Sequence, residues 1–153
     1  MNRKMFRRMI LAITSLSLIL ACRAGAQKFM PMGVTDGDMI AYLQKLQRAV
    51  RAGDRPTVAS LVNYPLRVNS SSKRHFTVTS SADLIRRYDA VFVPGVRDAI
   101  IAQEFGKLSA SPQGVPIKGG MVWLMSVCDA KHQPVKCKVG VGAINLPETF
   151  LNR

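Results

Sequence analysis

The chain has 153 residues, 22 Lys and Arg against nine Asp and Glu, and a net charge of +13. That length suits one domain built on one core and excludes two. Basic doublets are short, at Lys73-Arg74 and Arg86-Arg87, and no aromatic ladder interleaves them, so nucleic acid is excluded as the expected partner.

Residues 1–26 have the pattern of a signal peptide. Arg3, Lys4, Arg7 and Arg8 precede an apolar run, Met9 to Ala21, that is shorter than the roughly 20 residues needed to cross a bilayer. Ala24-Gly25-Ala26 offers a cleavage site between Ala26 and Gln27, which predicts a periplasmic or secreted product. Ile19-Leu20-Ala21-Cys22 resembles a lipoprotein box, and lipidation of Cys22 would instead anchor the product in the bacterial envelope. Only in that alternative is a membrane a partner. Either event leaves Cys128 and Cys137 as an even pair in an oxidising compartment, and they are read as a structural disulfide. From Gln27 onward, 17 basic residues face nine acidic ones, a net charge of +8. Such an excess suits a solvated basic surface or an acidic partner.

Lys28 to Val34 holds Pro31 and Gly33 and reads as a flexible lead-in, 27–34, before a single domain at 35–150. A helix is expected from Thr35 or Asp36 to Ala52, with Met39, Leu43, Leu46 and Val50 on one stripe. Gly53 ends it, and Asp54 caps a second helix from Arg55 to Val62. Leu66 to Asn69 and His75 to Thr79 read as a hairpin. Ser81 is the expected cap of a helix carrying Leu84, Ile85, Tyr88 and Phe92, and Pro94 opens another that runs to Phe105.

Lys107 to Ser111 is a candidate strand, and Pro112 to Gly120 a loop. The last two strands flank the loop containing Pro134. Pairing Cys128 with Cys137 predicts Leu124 opposite Val141, Met125 opposite Gly140 and Trp123 opposite Gly142, with Trp123 and Met125 folding over the glycines. Strict alternation then places Val122, Leu124, Val141 and Ala143 on one face, and Met121, Trp123, Met125, Ile144 and Leu146 on the other. Both faces are apolar, so the second is expected to meet a pocket, a partner or a second copy in a homodimer, or to be covered by loops and the N-terminal segment. The expected class is α+β, with helices packed on a curved, mainly antiparallel sheet of about five strands.

The segments LQKLQRAVRAGDRPTVASLV, NYPLRVN, LIRRYDAVF, GGMVWLMSVC and KVGVGAINL, in this order, resemble the nuclear transport factor 2-like superfamily. The resemblance implies a cone-like α+β domain with a pocket at its open end. It does not choose among isomerases, dehydratases, cyclases and binding modules.

Tyr64, Arg67, Tyr88, Trp123 and Asn145 are the candidate pocket residues, with Arg67 suited to an anionic ligand. No metal-ligand spacing, serine elbow or phosphate loop occurs, so neither a metal nor another cofactor is expected. The expected function is a non-enzymatic exported domain binding a small molecule or a protein. The alternatives are an isomerase or hydro-lyase using Asp89 and a tyrosine, and an immunity or inhibitor protein for an acidic envelope-targeted partner.

Overall fold

A computed structural model describes residues 27–70 and 74–147. The leader, with Cys22 and Ala26, lies outside the described residues, as do the tip of the first hairpin and the tail after Pro147.

Helix α1 (Asp36–Ala52) starts at a reciprocal cap. The Thr35 hydroxyl accepts from the Asp38 amide at 3.1 Å, and the Asp38 carboxylate accepts from the Thr35 amide at 3.0 Å. The hydrogen bond from the Thr35 hydroxyl, joined by that amide, holds the Asp38 carboxyl below its usual pKa. The expected stripe of Met39, Leu43, Leu46 and Val50 is buried. Helix α2 (Arg55–Ser60) is capped by Asp54 and stops two residues short of Val62, which joins the sheet instead.

Strands β1 (Val62–Asn69) and β2 (His75–Val78) form the expected hairpin. The next cap is Ser80, not Ser81; its hydroxyl accepts from the Asp83 amide at 3.2 Å. The single helix expected there is interrupted at Arg87, giving α3 (Ser81–Arg86) and α4 (Tyr88–Val91), although Leu84, Tyr88 and Phe92 all reach the core. Helix α5 (Pro94–Ile101) ends before Phe105 for a tertiary reason. Gln47 of α1 donates its amide to the carbonyls of Ile100, Ile101 and Gln103 at 3.0, 3.3 and 2.7 Å, capping the last turn from outside.

The candidate strand 107–111 does not form. Ser111 makes only an isolated bridge to Gly114, and strand β3 (Val115–Ile117) lies inside the segment expected to be loop. Pro116 hid it, because proline reads as a breaker; on an edge strand its missing N–H costs no ladder bond. Strands β4 (Val122–Asp129) and β5 (Lys136–Asn145) complete an open mixed sheet of order β2-β1-β5-β4-β3, antiparallel except where β1 runs parallel to β5. The molecule is thus α+β, with helices packed on a sheet.

The Cys128–Cys137 disulfide is present, and Leu124 and Met125 pair with Val141 and Gly140 as the spacing predicts. Trp123 does not face Gly142. A bulge between Trp123 and Leu124 leaves Gly142 unpaired and sets Trp123 opposite Ala143 and Val122 opposite Ile144. That one extra residue exchanges two side chains between faces: Ile144 turns into the core and Ala143 turns out. Two apolar rows result on the helix side. One is Val62, Val141, Leu124 and Val115; the other is Phe76, Val68, Ile144, Val122 and Ile117.

The glycines of β5 are crossed by side chains, but not as pairing alone predicts. Met125 lies over Gly142, where a Cβ would come within 2.5 Å of its sulfur. Asn63 occupies the space over Gly140 and reaches across β5 to donate to the Met125 carbonyl at 3.1 Å. Trp123 packs on Gly120, with its indole nitrogen 3.1 Å from the position of a Cβ there.

Residues 27–34 do not form a loose lead-in. Phe29 is fully buried with its ring 5.7 Å from that of Phe105, a short 3-10 helix follows at Met30–Met32, and Gly33 lies against the Cys137 sulfur. With φ at 72° and no room for a Cβ, position 33 admits glycine alone without strain. The Phe29→Ala variant of the 27–153 protein is expected to lose about 3–4 kcal/mol in urea unfolding. A change within about 0.5 kcal/mol would mean that this segment does not belong to the core.

Tyr42 of α1 donates to the Leu61 carbonyl at 2.7 Å, and the same oxygen accepts from the Val141 amide at 3.1 Å, so α1, the residue joining α2 to β1, and β5 meet at one atom. Burial raises the Tyr42 phenol above its ordinary pKa, a shift that its backbone hydrogen bonding only partly opposes. A raised acid contributes stability that is intact below the unfolded value of about 10 and is lost as pH rises above it. Above pH 10 the native protein should therefore lose stability about 1.4 kcal/mol per pH unit faster than Tyr42→Phe, in paired urea titrations.

Candidate functional site

The five candidate residues fall into two groups. Arg67, Trp123 and Asn145 share the sheet face turned away from the helices, where the cross-strand row runs Thr77, Arg67, Ala143, Trp123, Pro116. A polar relay crosses this face. Arg67 Nε donates to Asn69 Oδ1 at 2.7 Å, Asn69 Nδ2 to Asn145 Oδ1 at 2.7 Å, and Asn145 Nδ2 to the Gly120 carbonyl at 2.5 Å. The N-terminal segment, expected as one possible cover, lies instead on the helix side against the disulfide.

Tyr64 and Tyr88 do not join that face. Tyr64 donates to the Ala59 carbonyl of α2 at 2.9 Å, and burial raises its pKa. Tyr88 is buried and stacked on Phe92 with ring centroids 5.1 Å apart; its hydroxyl has no partner among the described residues, and the Arg55 guanidinium sits 5.1 Å from its ring centroid. Burial raises this phenol too, against the opposing pull of Arg97 and Arg55. Asp89 is exposed, with its oxygens 2.8 Å from Arg55 and 3.6 Å from Arg97.

A cleft of about 700 Å³ lies elsewhere, and none of these residues lines it. One wall is Lys28, Pro31 and Met32, the other is the turn 109–114, and Met125 and Ser126 of β4 line it where β3 has stopped. Gly114, at φ 122° and against the Leu124 carbonyl, turns the chain off the edge of β4 and opens the space. Its polar groups are the hydroxyls of Ser109, Ser111 and Ser126, the Gln113 amide and the Lys28 ammonium; among the described residues no carboxylate, imidazole or thiol lines it. The Ser111 hydroxyl is itself bound to the Gly114 carbonyl at 2.7 Å.

Sequence reasoning missed this cleft because its walls come from segments read as lead-in, strand and loop. The available signal was the polar turn SASPQG directly before a strand. Among the described residues no cluster of His, Cys, Asp and Glu could hold a metal ion, and no helix is long and apolar enough to cross a membrane. The chain matches no protein-family model, and no curated protein matches it in sequence.

The relay gives half-buried Asn145 a structural role, with both ends of its side-chain amide hydrogen-bonded. Asn145→Ala should cost about 1–3 kcal/mol in urea unfolding because the half-buried Gly120 and Asn69 groups lose their partner, while Arg67→Ala stays within about 0.5 kcal/mol. Equal costs for the two would mean that the relay's inner end at Asn145 contributes no more than its exposed Arg67 end.

Proposed function

We propose that this protein is an exported binding domain on a nuclear transport factor 2-like fold, and that it holds its ligand in the cleft between residues 28–32 and 109–114. The lining of that cleft carries the reading. Its volume falls in the range of ligand sites, and its groups can donate and accept hydrogen bonds but include none that would serve as a general base or nucleophile near neutral pH. The sheet with helices on one face and the Cys128–Cys137 bridge support the fold and an oxidising destination. The isomerase alternative needs Asp89 facing a substrate beside a tyrosine. Asp89 faces two guanidiniums, and the neighbouring Tyr88 hydroxyl is buried beneath the surface.

Titrating the oxidised, isotopically labelled 27–153 protein with a library of small amphiphilic compounds should move the backbone amide signals of Ser111, Gly114 and Ser126 first. Shifts confined to Arg67, Trp123 and Asn145 would transfer the site to the open sheet face. Shifts at Tyr88 and Asp89 would instead favour the enzyme alternative.

A further inference from the structure

We infer that the cleft receives an extended acidic peptide of a partner protein, which adds as a strand to the free edge of β4 along the track that β3 leaves at Gly114. The inference rests on the reading of the cleft as the binding site and names the class of ligand.

Three observations carry it. β3 pairs with β4 only from Val122 to Leu124, so the remaining edge, Met125 to Asp129, has no strand beside it among the described residues. The Cα atoms of Cys128 and Cys137 are 3.9 Å apart, close to the spacing of a non-hydrogen-bonded antiparallel pair. Cys128 and, two residues before it, Ser126 therefore direct their N–H and C=O groups away from β5, toward the open edge. Natural proteins blunt such edges with proline, charge or a covering loop, because they template strand addition. Here Ser126 lines the cleft, Val127 is 59% exposed, and the turn that could have covered the edge stands off across the cleft.

The second observation is charge. Lys28 lines the cleft; Lys131 lies in the hairpin loop, and Lys136 and Lys138 stand on β5 beside the same end of β4, all exposed. Among the described residues none of these four has a carboxylate within ion-pair distance. The one acid of the hairpin, Asp129, is turned into its own loop, accepting from the Lys131 amide at 2.9 Å and lying 2.9 Å from His132 Nδ1. A basic side chain in the cleft and three more at this end of the hairpin favour acidic side chains on an incoming strand.

The third is depth. Met125 and Met32 offer apolar contact beside the edge, so alternate residues of the added strand meet the cleft and the others turn away from it. Main-chain bonds along the edge supply affinity, and the alternation of acidic and apolar side chains supplies selection.

The test uses the oxidised 27–153 protein and a fluorescent peptide of about eight residues alternating glutamate and valine, read by anisotropy at low salt. Binding is expected, with loss of about tenfold or more when alternate peptide nitrogens are methylated, and a comparable loss in Ser126→Pro, whose outward N–H is removed at an edge position that tolerates proline. The Lys131→Glu, Lys136→Glu double variant should weaken it further, as should rising salt. Methylation leaves the protein untouched, so a misfolded variant cannot imitate this result. Binding indifferent to methylation, or matched by polyglutamate, overturns strand addition and leaves only attraction to a basic surface. If the peptide fails while amphiphilic compounds still shift Ser111, Gly114 and Ser126, the peptide inference falls and the cleft stands. If neither disturbs those signals, both fall.

Discussion

The sheet depends on β5 having no side chain at positions 140 and 142. β5 lies at its centre, parallel to β1 and antiparallel to β4, and a Cβ at 140 or 142 would collide with the Asn63 or the Met125 side chain that crosses it. With both positions vacant, Met125 comes in from β4 and Asn63 from β1, and Asn63 spans the strand to reach the β4 backbone. Three strands are thus tied by more than their ladders. Gly142 also supplies the extra residue of the bulge, which carries Ile144 into the core and lets Val68, Ile144 and Val122 form one continuous apolar row.

The bulge decides what the open face can be. With Ile144 turned inward, that face keeps Trp123 and Met125 but gains Ala143, and it is crossed by the relay from Arg67 through Asn69 to Asn145. Side chains that satisfy one another in this way make a wetter surface than the apolar sheet expected from alternation alone. The apolar hollow lies elsewhere, at the end of β4, where the disulfide, Gly33 and the turn at Gly114 shape its surroundings.

Position in the fold also separates residues that sequence grouped together. Tyr88 and Asp89 are adjacent in the chain, yet one points its ring into the core while the other meets solvent and two arginines. Neighbours on a short helix face different surroundings because each residue turns about 100° from the last. Both residues line one shallow hollow with Arg55 and Arg97, but there the Asp89 carboxylate is paired with the two guanidiniums.

The sequence by itself determined what depends on nearby residues: the capping box at Thr35, the buried stripe of α1, the stop at Gly53, the two hairpins, and the Cys128–Cys137 pairing with the register of the strands around it. The tertiary structure decided whatever needed a distant partner. Gln47 ended α5, an edge location admitted Pro116 to a strand, the bulge exchanged Ala143 and Ile144, and a fully buried Phe29 turned an expected lead-in into part of the core. The cleft belongs to this second kind, since its walls are about 80 residues apart in the chain and no local pattern records their meeting. Local hydrogen bonds and periodicity are written within a few residues, whereas a cavity exists only after chain segments have chosen their neighbours.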